Sequence, residues 1–123
     1  MSTKTVLHNF IDGATAEPAD GRYADLIDPA TGEVFAAAPV SGEADVDRAM
    51  QAAAAAFEKW RDTTPSERQR ALLKFADAVE ARADELIDAE VRNTGKPRGL
   101  TASEELPPAI DQIRFFAGAA RNL

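Results

Sequence analysis

The sequence predicts an α/β segment: a β-hairpin and strands over residues 1–40, then three or four mostly amphipathic helices over 43–122. Three observations carry this. Asp12-Gly13 and Pro29-Ala30-Thr31-Gly32 punctuate the first forty residues as turns. From Val46 onward apolar residues recur at three and four positions. Pro65, Gly95 and Pro107-Pro108 then mark where helices start and stop.

Taken in order, Leu7 to Ile11 is apolar-rich and runs into Asp12-Gly13, which suits a tight hairpin because glycine accepts positive φ. Ala14 to Glu17 is the return strand, and Pro18 to Gly21 a loop. Tyr23 to Ile27 is a further strand, ended by Asp28-Pro29. Val34, Ala36, Ala38 and Val40 alternate with their neighbours, with Phe35 disturbing the alternation, so that strand is expected to be covered on both faces. After Ser41-Gly42, Val46, Ala49, Met50, Ala53, Phe57 and Trp60 line one face of a first helix. A second helix opens at Thr64-Pro65-Ser66-Glu67, where Thr64 caps, Pro65 suits the first position and Glu67 completes a capping box. Leu72, Phe75, Ala76, Val79, Ala83, Leu86 and Ile87 form its inner stripe, and it is expected to run unbroken to about Asn93. Arg70, Lys74, Asp77, Glu80 and Asp84 face water. A short turn covers Thr101 to Leu106. The last helix starts at Pro107-Pro108 and places Ile110, Ile113, Phe116, Ala117 and Ala120 on one side.

Composition narrows the function classes. Of 123 residues, 26 are alanine, close to half of the 45% that are hydrophobic. Alanine removes little area from water, so the core is thin and much of the intended packing is expected to come from outside the segment. With 14 Lys and Arg against 21 Asp and Glu, the net charge of −7 argues against nucleic acid and against an anionic membrane surface. There is no cysteine, which removes disulfides, thiolate metal sites and a thiol nucleophile. No apolar run approaches the ~20 residues of a membrane span, and the amino terminus lacks a signal-peptide core. A cytoplasmic location is the default expectation.

Candidate chemistry is sparse. Gly95-Lys96 is followed by Pro97, not Ser or Thr, so it is not a phosphate loop, and no G-x-G-x-x-G occurs. It reads as a helix-stopping turn. His8, the one histidine, reads as a half-exposed strand residue. Glu104-Glu105 are adjacent, so on a helix they point about 100° apart and make no dyad. They read as a solvated face. Arg114-Phe115-Phe116 could stack on a base, but at helical spacing in so acidic a chain the rings read as core.

Several strings in fixed order carry a family resemblance. They are Asn9-Phe10-Ile11-Asp12-Gly13, Asp28 to Val34, Asp45 to Ala49, Ala55 to Trp60, Pro65 to Arg70, Thr94-Gly95-Lys96-Pro97 and Arg114 to Gly118. Together they resemble the opening of the NAD(P)-dependent aldehyde dehydrogenases, from about residue 7 to the end. Arg92 to Pro97, Glu104 to Pro107 and Arg114 to Arg121 are most similar to the γ-aminobutyraldehyde dehydrogenase branch.

The resemblance implies an α/β parent fold of which 1–123 is an incomplete amino-terminal part. It implies NAD-dependent oxidation of an ω-amino aldehyde to the acid in the whole enzyme. The cofactor motifs, the general-base glutamate and the nucleophilic cysteine of the family come later than this segment. Hence no catalytic and no cofactor-binding residue is assigned, and NAD is not expected to bind this segment alone. One family site does map here, a structural K⁺ or Na⁺ held by strand carbonyls at Leu26 and Ile27 and by a side chain at Asn93. Where the wider family has an acid, this chain has Asn93, so the expected site is weak; Asn93 reads equally as an ordinary helix-end residue. The partner implied is the remainder of an aldehyde dehydrogenase. Two alternatives stand beside this reading. One is a non-catalytic module docking on a full-length homologue through an uncovered Ile110, Ile113 and Phe116 stripe. The other is an independent helical scaffold, either a well-packed monomer or one whose self-association buries the last helix.

Overall fold

The computed structural model describes residues 4–122, in two compact units that divide between Asp62 and Thr63. The expectations at Met1 to Thr3 and at Leu123 lie outside the described residues.

In the first unit, β1 (Thr5–Val6), β5 (Val34–Pro39) and β4 (Tyr23–Ile27) form one sheet in the order β1-β5-β4. β1 runs parallel to β5 and β4 antiparallel to it. β2 (Asn9–Ile11) and β3 (Ala14–Ala16) form a separate hairpin, with Phe10 opposite Thr15. Its turn residues Asp12 and Gly13 have φ of 55° and 77°, the positive pair that a two-residue turn matched to strand twist requires. The β4–β5 turn is built as read: Asp28 Oδ1 accepts from the Ala30 N–H at 2.8 Å, and the Gly32 N–H donates to the Asp28 carbonyl at 2.8 Å. Ala36 and Ala37 are buried while Phe35, Ala38 and Pro39 are half-buried, so β5, the central strand, is covered on both faces in part.

The helix α1 (Glu43–Trp60) closes this unit. Its only buried residue is Asp45, in the first turn. The expected inner stripe is instead exposed: Val46 58%, Met50 65%, Phe57 56% and Trp60 48%. Within its unit α1 meets chiefly β2, so the periodicity is real but most of the face is left without cover.

The second unit is helical: α2 (Pro65–Ala81), α3 (Ala83–Thr94), α4 (Arg98–Leu100), a π turn (Thr101–Glu105) and α5 (Leu106–Ala119). The unbroken second helix expected from the sequence is two helices. Arg82, at φ −113° and ψ 25°, leaves the helical basin between them, and its guanidinium then holds Glu85 in the first turn of α3 at 2.6 and 2.8 Å. No glycine or proline marks this break. The capping box of α2 forms as read: the Glu67 N–H donates to Thr64 Oγ1 at 3.3 Å and the Thr64 N–H to Glu67 Oε2 at 2.7 Å. Gly95 ends α3 at φ 73°, donating its N–H to the Val91 carbonyl at 2.8 Å.

The main packing of this unit is α2 against α5, centred on Ala76 and Ala117, which are fully buried, and Ile110. Across the described residues the buried apolar set is Ala36, Ala37, Ala76, Ile87, Ile110 and Ala117. Four of those six are alanine, which is the thin core that composition foretells. No described helix is long and apolar enough to cross a membrane.

Candidate functional site

The candidate cation ligands are spread over two elements, β4 and α3. Leu26 and Ile27 end β4, facing Ala36 and Val34 across an irregularity in register at that step. Ile27 is 56% exposed. Such an irregularity locally disrupts the regular strand pairing at that step. Asn93 is exposed in the last turn of α3, beside Thr94, whose hydroxyl donates to the Glu90 carbonyl at 2.7 Å. Leu26 and Ile27 belong to the first unit and Asn93 to the second. All three would offer uncharged oxygens, a donor set suited to a loosely held monovalent cation rather than a divalent one. Among the described residues no three His, Cys, Asp or Glu side chains are grouped to hold a metal.

The remaining candidates resolve individually. The His8 ring sits edge-on to Tyr23 at 6.5 Å, with Nδ1 3.4 Å from the Tyr23 hydroxyl. Partial burial, then repulsion from Glu17, raises the Tyr23 phenol above its ordinary pKa. Gly95-Lys96 is the helix stop expected. Glu104 is exposed, whereas Glu105 is half-buried and occupied, which corrects the solvated-face reading for that residue. Lys96 Nζ lies 3.0 Å from a carboxylate oxygen of Glu105 and 3.0 Å from Glu90 Oε1. Hydrogen bonds to Glu90 and then Glu105 hold the ammonium above its usual pKa.

Arg114 is tied to α2, not offered to a base. Its Nη2 lies 2.6 Å from Glu80 Oε2 and 3.0 Å from Asp77 Oδ1. That contact draws the Glu80 carboxyl below its ordinary value. Phe115 and Phe116 pack edge-to-face on each other at 5.4 Å but are 69% and 60% exposed, so the core reading of these rings is corrected. The uncovered Ile110, Ile113 and Phe116 stripe is corrected in the opposite sense. Ile110 is buried and Ile113 half-buried; only Phe116 of the three stays open. α5 packs against α2, and along it Ile110 and Ala117 are buried, Ile113 is half-buried and Phe116 is open.

Sequence reading missed two polar features. One is the Lys96 bridge, together with the π turn it reaches. The signal available was Pro107-Pro108 placed within a helical stretch, since neither can donate a backbone hydrogen bond. The other is Asp45, which accepts from the backbone of a distant loop and so could not be found by local pattern. Beside Lys96 an open groove of about 310 Å³ is lined by Leu86, Ile87, Glu90, Thr101, Glu105, Leu106 and Ala109. These side chains offer packing surface and ion pairing rather than a nucleophile.

Comparison with known proteins converges on one family. Residues 16–123 match the model of the aldehyde dehydrogenase family. Acetaldehyde dehydrogenase 2 of Cupriavidus necator is 42% identical over 118 residues, 96% of this chain and 23% of its own length. The structure titled γ-glutamyl-γ-aminobutyraldehyde dehydrogenase from Burkholderia cenocepacia superposes with a TM-score of 0.92 at 35% identity, covering 99% of this chain and 25% of that one. An NAD⁺ complex of aldehyde dehydrogenase from Bacillus cereus superposes with a TM-score of 0.87 at 31% identity, over 91% of this chain and 23% of that one. The chain thus spans about a quarter of the length of the relatives it matches. With the strands, the turn order and the helices all reproduced at that level of identity, the chain belongs to the aldehyde dehydrogenase family.

Proposed function

We propose that this segment is the amino-terminal scaffold of an NAD-dependent enzyme that oxidises an amino aldehyde resembling γ-aminobutyraldehyde to its acid. In the whole enzyme the bound nicotinamide supplies the hydride acceptor. The segment itself supplies packing surface, and its share of the work is to position what lies against it. The observation that carries the reading is the pairing of a family match over residues 16–123 with a sequence that has no cysteine. A thiolate is the nucleophile the family chemistry calls for, so the segment is inactive by itself. The amino-aldehyde preference is supported by the resemblance of residues 92–97, 104–107 and 114–121 to that branch and by one similar structure of that description. The test is NADH formation by the homogeneous 123-residue chain with γ-aminobutyraldehyde and NAD. None is expected at any protein concentration, and turnover overturns the reading.

The partner in this reading is the remainder of an aldehyde dehydrogenase, or a full-length homologue. The exposed face of α1 favours it, since Val46, Met50 and Phe57 together offer an exposed apolar surface of the kind that marks an interaction site. A weak K⁺ or Na⁺ site at Leu26, Ile27 and Asn93 belongs to the same proposal. Its test is the unfolding midpoint in potassium chloride and in tetramethylammonium chloride at equal ionic strength. A higher midpoint in potassium is expected, and equal midpoints remove the site.

A further inference from the structure

Two consecutive prolines interrupt the backbone bonding between the π turn and α5. Pro107 and Pro108 have no N–H, so the Ser103 carbonyl finds no donor either four or five residues ahead, and the Glu104 carbonyl finds none four ahead. The Leu106 N–H is given to the Thr101 carbonyl, the wide i to i+5 bond of the π turn. The helical path from Arg98 to Ala119 is therefore continuous but carries a weak seam at Glu105-Leu106-Pro107.

A side chain crosses that region. Lys96, just before α4, reaches Glu105, the last residue of the π turn, at 3.0 Å, and Glu90 in α3 at the same distance. The two bonds span the whole α4–π-turn segment and fasten its far end to α3. On either side the anchors are firm: α5 is held to α2 by Ile110, Ala117 and Arg114, and α3 is seated by buried Ile87. The groove lined by Leu86, Ile87, Thr101, Leu106 and Ala109 borders the seam.

We propose that Lys96 is the latch of a hinge at Glu105-Leu106-Pro107. Its bridge takes the place of backbone bonds that the prolines remove. Arg98 stays tied to Asp84 and Asp88 of α3 at 2.7 and 2.8 Å, so on release of Lys96 residues 99–105 move as a flap against a fixed α3 and α5, and the groove widens. A part-buried ion pair that water still reaches is a modest tie, which suits a latch that opens and recloses.

The test is a double-mutant cycle in the 123-residue chain, read by amide hydrogen exchange. Lys96→Met should raise exchange across 99–106 about fivefold while leaving the amides of α2 unchanged. Pro107→Ala restores an N–H four residues beyond Ser103, so in that background the same Lys96→Met change should have less than about half the effect. Glu105→Gln, which keeps the side-chain size, is carried through the same cycle, so that a chain too destabilised by Lys96→Met still gives a reading. An equal effect of the substitution with and without Pro107 overturns the latch and leaves an ordinary surface ion pair. No effect in either background overturns it as well.

Discussion

Asp45 Oδ1 accepts a hydrogen bond from the backbone N–H of Ala19 at 2.9 Å, across 26 residues of chain. The same carboxylate accepts from the Gly42 N–H at 3.0 Å and lies 3.4 Å from Arg48. Only 3% of Asp45 is exposed. One side chain thus caps α1 and pins the loop before β4 to the helix start. Asp45→Ala should destabilise the first unit by about 2 kcal/mol, the sum of a lost cap and a lost bond to a charged acceptor. Asp45→Asn should recover part of it. Urea unfolding midpoints of the two variants measure the difference, and an unchanged midpoint in Asp45→Ala contradicts the assignment.

Acid should loosen the α2–α5 pair. The Glu80 carboxyl is drawn below its ordinary 4.5 by its hydrogen bond to Arg114, and Glu67 and Glu85 are drawn down by Thr64 and Arg82. A depressed carboxyl contributes stability that is complete above the ordinary value and lost as pH falls through the folded one. The unfolding midpoint should therefore drop on acidification below 4.5. In Arg114→Met the drop should be shallower, since one of its causes is gone. Salt should flatten it in both proteins because these groups face water. A steeper acid dependence in Arg114→Met contradicts the account.

Two glycines should respond with opposite sign. Gly95 sits at φ 73°, so Gly95→Ala should cost about 1 kcal/mol. Gly99 lies in α4 with open space where a Cβ would stand. Gly99→Ala should be stabilising by roughly 0.5 kcal/mol, because it restricts the unfolded chain. Thermal midpoints of the two single variants decide this, and a common sign would contradict it.

The open face of α1 should drive self-association of the isolated segment. Met50→Ser with Phe57→Ser removes two of its largest exposed apolar groups, at 65% and 56%. Sedimentation velocity across a concentration series should show the parent associating and the double variant shifted toward monomer. Equal association in the two would place the contact elsewhere.

Features set by short stretches of chain were legible in the sequence. The Asp12-Gly13 hairpin, the span of β4, the Thr64 capping box and the Gly95 stop each depend on a few adjacent residues, and each stands where the sequence puts it. The Arg82 break was not legible, because no glycine or proline announces it; it rests on backbone angles and a guanidinium contact. Burial was legible only in part. Periodicity tells which side of α1 is apolar, but whether Met50 and Phe57 are covered depends on what packs there. The same holds for α5, where Ile110 is buried and Phe116 is not. Lys96, Glu90 and Glu105 carry no motif, and only the folded path brings them within hydrogen-bond reach. The cation ligands Leu26, Ile27 and Asn93 rest on the family resemblance; the first two lie in one unit and Asn93 in the other.

The central claim is that the segment provides scaffold and not chemistry. It is tested most directly by following nicotinamide fluorescence with γ-aminobutyraldehyde and NAD, first for the chain alone and then with a polypeptide comprising the rest of a family member added. The account predicts no signal from the chain alone and NADH formation on addition of the remainder. Turnover by the homogeneous chain alone, or no gain when the remainder is added, would contradict it.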